Sequence, residues 1–129
     1  MIPYRDLNRT HHFPWMTILL IILNSAVFAV ELILPPDASK EFIYRFAIIP
    51  YDFKFGPPHP ITLLTSMFLH GGFLHIGSNL LYLWIFGDNV EDRLGPIRFL
   101  IFYLLCGLVA AFAQIYSDFN SRLPALGAS

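Results

Sequence analysis

The chain has 129 residues, of which 56% are hydrophobic, 16% aromatic and only 13% charged, with a formal net charge of −1. An average soluble domain is about 45–50% apolar and about 25% charged, so this composition argues against a soluble enzyme and against a disordered chain. The low net charge leaves no basic patch for nucleic acid, and the single cysteine, Cys106, excludes an internal disulfide and a zinc site built from cysteines. The composition favours the lipid bilayer as the solvent of this chain.

The first long apolar segment covers residues 13–34 and follows a polar stretch that contains Arg5 and Arg9. A helix of this length reaches about 33 Å, which is enough to cross the hydrocarbon core. Because the segment is longer than the apolar region of a signal peptide, we expect it to remain as a membrane span. Two of its polar residues, Asn24 and Glu31, are expected to serve in helix packing or at the interface rather than in catalysis.

Residues 35–61 interrupt this pattern with seven prolines and glycines, which argue against a long regular helix. The same stretch carries six aromatic rings and the basic residues Lys40, Arg45 and Lys54. Aromatic rings next to charged side chains are well accommodated at the level of the lipid headgroups. We therefore predict a long loop that lies partly in the membrane interface.

Two further spans are predicted after this loop, at about residues 72–90 and 97–116. Gly95 followed by Pro96 is typical of a helix stop and restart between them. Pro124 is predicted to open a fourth helix. We therefore predict an all-α membrane protein, with three transmembrane helices and the start of a fourth in a single domain.

The orientation of these spans is weakly specified by charge. Four basic residues fall on each side of the membrane, and the shorter, more densely charged segments lie on the side of the N-terminus. The positive-inside rule therefore favours a cytoplasmic N-terminus.

A cluster of polar residues, His70, His75 and Asn79, lies in a stretch of 33 residues, 55–87, that has no Asp, Glu, Lys or Arg. His75 and Asn79 are four residues apart and share one face of the second span. Three interpretations compete for them. In the first, the residues form hydrogen bonds with one another and tie the loop to the helix. In the second they bind a metal, and in the third their N–H groups stabilise an oxyanion. The metal site is the weakest, since asparagine is a poor zinc ligand and no cysteine or carboxylate completes the set.

The oxyanion interpretation requires a nucleophile, and the predicted topology supplies Ser129. The third span returns the chain to the membrane face at which His75 and Asn79 lie, so Ser129 enters on their side. By itself, a serine that follows Gly127 and Ala128 more often indicates helix packing than catalysis.

The most specific pattern in the chain is LTSMFLHGGFLHIGSN at residues 64–79, followed by GDNVEDRLG at 87–95 and PALGAS at 124–129. These motifs resemble the rhomboid family of intramembrane serine proteases, and a weaker similarity covers nearly the whole chain. The last motif fits the family's Gly-X-Ser-Gly pattern without its final glycine. Ile61-Thr62 stands where the family often has Trp-Arg, so the loop is expected to be anchored differently.

The resemblance implies a role for each matching residue. Ser129 would be the nucleophile, and His75, Asn79 and the Ser129 backbone N–H would hold the oxyanion. His70 would lie at the hydrogen-bonded edge of the active-site cavity. Glu91 and Arg93 would form a structural pair that fastens the turn after the second span.

The implied activity is a serine endopeptidase that cleaves transmembrane segments of other membrane proteins without a cofactor. A multi-pass protein of a prokaryotic cell membrane is expected. The family's general base is a histidine on a later span, so the 129 residues alone are expected to be inactive. The alternative is a non-catalytic rhomboid-like protein that binds transmembrane helices without cutting them.

Overall fold

The computed structural model describes residues 10–57 and 59–127, so Arg5, Arg9 and Ser129 lie outside the described residues. The described chain is helical, and its one β-type pairing is an isolated antiparallel bridge between Ile48 and Ala125. The α-helices are α1 (Trp15–Ile33), α2 (Pro36–Phe46), α3 (Pro60–Thr65), α4 (Phe73–Leu94) and α5 (Pro96–Ser117), with short 3₁₀ helices at Pro50–Lys54 and Ser66–Phe68.

The segment 35–61 is more regular than its prolines suggest, because it contains α2. The prolines and glycines lie at its start and in its second half, and residues 37–49 have none. Pro36 occupies the first turn of α2, Asp37 lies near its N-terminus and Arg45 in its last turn, which suits the helix dipole. The predicted long loop therefore contains one short α-helix and a 3₁₀ helix, and its position in the membrane interface stays a prediction.

The sharp turn between α4 and α5 confirms the predicted helix stop and restart. Gly95 has a φ of +84°, a conformation that favours glycine, and its N–H donates to the Glu91 carbonyl over 2.7 Å. Pro96 then occupies the first turn of α5, where its missing N–H has no intrahelical partner to lose.

Helix α1 turns its polar residues inward and its apolar residues outward, the reverse of a helix at the surface of a soluble protein. Its buried face follows a helical spacing and consists of Thr17, Leu20, Asn24, Phe28 and Glu31. Ile22 and Ile33 are instead 59% and 82% exposed. Such an arrangement suits a lipid environment, in which polar groups must be satisfied within the protein.

Two helices, α1 and α5, are long and apolar enough to cross a membrane, and most of their residues are not buried within the described chain. Helix α4 is equally long but less apolar, because His75 and Asn79 lie near its start and charged residues near its end. The second span at about residues 72–90 therefore stays a prediction.

The bundle is formed by α1, α4 and α5, which pack against one another. Gly87 of α4 lies against Thr17 of α1, where an added Cβ would approach the Thr17 methyl to 3.0 Å. Gly107 of α5 accepts the buried Met67 side chain, which would lie 1.9 Å from such a Cβ. Gly107 thus makes room in α5 for a side chain from the segment before α4.

Residues 124–127 form no helix, whereas the sequence predicts the start of a helix at Pro124. Ala125 pairs with Ile48 and is buried in a small core with Ala111 and Ile115 of α5. Gly127 has a φ of +82°, outside the helical region. The contact with the loop therefore overrides the local signal of the proline.

Candidate active site

The start of α4 brings His75 and Asn79 onto one helix face, next to His70 in the segment that precedes the helix. Asn79 Nδ2 lies 3.0 Å from His70 Nε2, and the rings of His70 and His75 are 5.1 Å apart between centroids. The Gly71 N–H donates to His75 Nδ1 over 3.3 Å. The three polar residues that the sequence singles out therefore form one contiguous group.

These contacts assign the ring tautomers. His70 Nδ1 lies 3.1 Å from the Phe68 carbonyl oxygen, which can only accept, so Nδ1 carries the proton and Nε2 accepts from the Asn79 amide. His75 Nδ1 accepts from the Gly71 N–H, so in the neutral ring its proton resides on Nε2. His75 therefore presents an Nε2–H donor away from Gly71.

His70 is held in place from α1 as well as from α4. Its side chain is buried, and its backbone N–H donates to Glu31 Oε1 over 3.2 Å. Burial lowers the pKa of His70 and the nearby His75 acts in the same direction, against the Phe68 carbonyl bond, which raises it. The imidazole of His70 is accordingly neutral at pH 7.

The segment after α5 runs in extended form past this group. Three backbone hydrogen bonds hold it: Tyr51 N–H to the Ser121 carbonyl (2.9 Å), Ala125 N–H to the Ile48 carbonyl (2.7 Å) and Gly127 N–H to the Ser66 carbonyl (2.8 Å). The loop and the residues before α4 thus determine the path of the chain up to Gly127.

Gly127 lies directly beside His75 and Asn79. A Cβ added to Gly127 would lie 2.8 Å from His75 Nε2 and 3.5 Å from Asn79 Nδ2. The backbone two residues before Ser129 is therefore packed against the donor nitrogens of both side chains, and only glycine leaves the room for this approach.

A family model described as a Rhomboid domain matches residues 57–129, which is more than half of the chain. The chain belongs to the rhomboid family. Its members are integral membrane proteins, and their curated examples include serine proteases.

Three relatives illustrate the extent of the similarity. Rhomboid protease GluP of Bacillus subtilis is 40% identical over 68 residues, which cover 52% of this chain and 13% of that protein. Rhomboid protease AarA of Providencia stuartii is 28% identical over 117 residues (84% and 40%), and the mitochondrial Rhomboid protein 1 of Saccharomyces cerevisiae 28% over 93 residues (69% and 26%). This rhomboid chain thus spans less than half the length of these relatives. No solved structure matches it significantly.

The expectation of a prokaryotic membrane is not supported. The relatives include the mitochondrial yeast protein and the chloroplastic Rhomboid-like protein 16 of Arabidopsis thaliana, which is 37% identical over 82 residues. Rhomboids of several membranes are therefore similar to this chain, and similarity alone does not select one of them.

Glu91 has different partners from those that the resemblance implies. Its two carboxylate oxygens accept from the Met16 N–H (2.9 Å), the Thr17 N–H (2.7 Å) and the Thr17 hydroxyl (2.8 Å) at the start of α1. Arg93 is exposed, and these two described residues form no ion pair. In this rhomboid, Glu91 therefore fastens α4 to α1, and a structural role of Arg93 beside it stays a prediction.

Two contacts of this site were missed from the sequence. Glu31, which was expected to serve only packing or the interface, accepts from the His70 backbone, and Gly127 contacts His75 and Asn79. Glu31 shares the helical spacing of Thr17 and Asn24, so its burial could have been predicted from periodicity. Its partner could not, because 39 residues separate it from His70.

Proposed function

We propose that this chain supplies the nucleophile and the oxyanion donors of an intramembrane serine endopeptidase. The observation that carries the proposal is the contact of Gly127 with His75 Nε2 and Asn79 Nδ2, two residues before Ser129. A carbonyl attacked by Ser129 would thereby lie within reach of two side-chain N–H donors. Donors of this kind, aimed at a developing oxyanion in a site that excludes water, are a major source of catalysis.

In the proposed reaction, the Ser129 Oγ attacks the carbonyl carbon of a substrate peptide and its proton passes to a general base. The oxyanion is held by His75, Asn79 and the Ser129 backbone N–H. The base then protonates the leaving amine as the C–N bond breaks, and water hydrolyses the acyl-enzyme by the same two steps.

No histidine of residues 10–127 is arranged as that base. The ring nitrogens of His70 bond to Phe68 and Asn79, and His75 Nδ1 accepts from the Gly71 N–H. His59 accepts from the Ile61 N–H at the start of α3. His11 and His12 contact Asp92, which lies about 25 Å along α4 from His75. We therefore propose that the base comes from outside these 129 residues and that the 129 residues alone hydrolyse nothing.

The proposed substrates are transmembrane segments with small or helix-breaking residues near the interface. The proposed topology has spans at 13–34, 72–90 and 97–116 and a cytoplasmic N-terminus. The site lies at the end of α1 opposite to that N-terminus, because Glu31, near the end of α1, contacts His70. The proposed site therefore opens toward the non-cytoplasmic side.

The test is cleavage of a model transmembrane substrate in proteoliposomes by the protein as its gene encodes it. We expect Ser129→Ala to abolish cleavage and labelling by a phosphonate probe for activated serines. Ser25→Ala, a matched change in the middle of α1, should leave both intact. Cleavage that survives Ser129→Ala would refute the proposed nucleophile.

The alternative, a binder of transmembrane helices, makes a different prediction. It requires that the wild-type protein retains such helices but neither cleaves them nor reacts with the probe. The codons beyond residue 129 offer a simpler test, since a glycine at 130 and a later helix with a histidine are expected for the protease.

A further inference from the structure

The turn that follows α5, residues 118–122, rests on the 3₁₀ helix Pro50–Lys54 of the loop. The Tyr51 N–H donates to the Ser121 carbonyl over 2.9 Å, and the Lys54 ammonium donates to the Asn120 side-chain oxygen. This turn is where the chain enters the extended segment that leads to Gly127.

Two cations lie over the ring of Tyr51, one from the 3₁₀ helix and one from the turn. The Arg122 guanidinium carbon lies 4.5 Å from the ring centroid, and the Lys54 nitrogen lies 5.1 Å from it. Both distances are within the range at which an aromatic quadrupole attracts a cation. Arg122 ends the turn, where the chain enters the segment that leads to Gly127, and Tyr51 lies in the loop, so this contact joins the two.

The backbone hydrogen bonds of residues 121–127 do not by themselves specify which residue pairs with which. A backbone N–H or carbonyl is nearly the same at every position, so a shift of this segment by one residue can remake similar bonds with different side chains facing the loop. Such a slip would displace Gly127 by about 3.3 Å from His75 and Asn79. Side-chain contacts therefore have to fix the register.

Two side-chain contacts can do so in this segment. Ala125 is buried against Ile48, Ala111 and Ile115, where a larger side chain does not fit without rearrangement. Arg122 lies over Tyr51 at the start of the segment. Arg122 and Ala125 are three residues apart. The first holds the segment through a polar contact and the second through an apolar one.

We propose that Tyr51 is a positioning residue: by holding Arg122 over its ring, it sets the register of residues 121–127 and thereby the placement of Gly127 beside His75 and Asn79. Tyr51 touches no reacting atom and acts through the extended segment. The consequence for catalysis rests on the proposed function above, whereas the consequence for register does not.

The register is tested directly by disulfide trapping in the protein as its gene encodes it, with Cys106→Ala in every arm. Ile48→Cys is combined in turn with Pro124→Cys, Ala125→Cys or Leu126→Cys. We expect the 48–125 pair to dominate, and Tyr51→Leu to shift yield toward the 124 and 126 partners. Tyr51→Phe, which keeps the ring, should give the same distribution of disulfide yields as Tyr51. An unchanged distribution in Tyr51→Leu would overturn the proposal.

Cleavage kinetics provide the second readout. We expect Tyr51→Leu to lower kcat about five- to tenfold, with a smaller change in KM, because the attraction of a ring for one or two cations is lost. Tyr51→Phe and Arg122→Lys should retain most of the activity. Tyr44→Leu, an exposed tyrosine on α2, is the matched control and should behave like wild type.

A double variant distinguishes loss of the Arg122–Tyr51 contact from a general loss of stability. If Tyr51 acts through Arg122, Tyr51→Leu combined with Arg122→Gln should lower kcat no further than either change alone. Fully multiplicative effects would overturn the proposal. A wild-type protein that cleaves nothing would refute the proposed function, and the disulfide yields would still decide the register.

Discussion

The two ends of α4 carry polar groups that are used in opposite ways. At the C-terminal end, both oxygens of Glu91 are occupied by donors from the start of α1. At the N-terminal end, His75 Nε2 and Asn79 Nδ2 lie beside Gly127, 2.8 Å and 3.5 Å from where a Cβ of that residue would lie. One end therefore resembles a structural joint and the other a binding site, although both are polar and belong to one helix. Variants at the two ends should consequently separate stability from catalysis.

The largest effect is expected at the N-terminal end. His75→Ala removes one of the proposed oxyanion donors and should lower kcat by about 10²–10³-fold, with little change in thermal stability in detergent micelles. Ser78→Ala is the matched control, because its exposed hydroxyl bonds only to its own helix, at the His75 carbonyl. A loss of activity that merely follows the unfolded fraction would contradict the assignment of a catalytic site.

The next effect is expected at the opposite end. Glu91→Ala leaves the donors of Met16 and Thr17 without their acceptor and should lower the free energy of unfolding by about 3 kcal/mol. The rate per folded molecule should be unchanged, in contrast to His75→Ala. Glu41→Ala, an exposed carboxylate on α2, serves as the control in thermal unfolding. If Glu91→Ala reduces the rate per folded molecule while stability is kept, the two ends do not differ as proposed.

A smaller effect is expected from one of those donors. Thr17→Val removes the hydroxyl but keeps the shape of the side chain, so Glu91 loses one hydrogen bond and stability should fall by about 1 kcal/mol. Thr17→Ser retains the hydroxyl and should recover most of this loss. Equal stability of the two variants in a denaturant titration would show that the hydroxyl contributes nothing.

The smallest effect concerns Asp92, beyond the proposed second span. The His12 side chain, followed by the His11 backbone N–H, lowers the pKa of Asp92. A carboxyl whose pKa is lowered by folding stabilises the fold above its ordinary pKa, and this contribution is lost as the pH falls through the lowered value. The contact of residues 11–12 with α4 should therefore persist at neutral pH and open only in acid.

Fluorescence of the nearby Trp15 follows this opening, with Trp84→Phe in the background so that one tryptophan remains. We expect an acid transition with a midpoint below the ordinary range of an aspartate. Asp92→Asn should abolish it. A transition that is the same in both proteins would assign the signal to another group.

The long helices and the polar face of α4 were predictable, because both rest on local periodicity. Apolar residues cover α1 and α5 almost continuously, and the four-residue spacing of His75 and Asn79 requires one helix face. The prediction was wrong where a local signal competed with a distant contact. Pro124 suggested a helix start, but pairing of Ala125 with Ile48 keeps the backbone extended.

The amino-acid sequence by itself determined that this is a helical rhomboid of the membrane, with a histidine and an asparagine on one helix face and a Gly-Ala-Ser motif at residues 127–129. The tertiary structure decided which partners these residues have: Gly127 for His75 and Asn79, His70 for Glu31, and the start of α1 for Glu91. The contacts of Glu31 and Glu91 join residues that are between 39 and 75 positions apart in the chain. Local pattern determines which face a side chain occupies, whereas the packing of the helices and the loop determines what lies opposite that face.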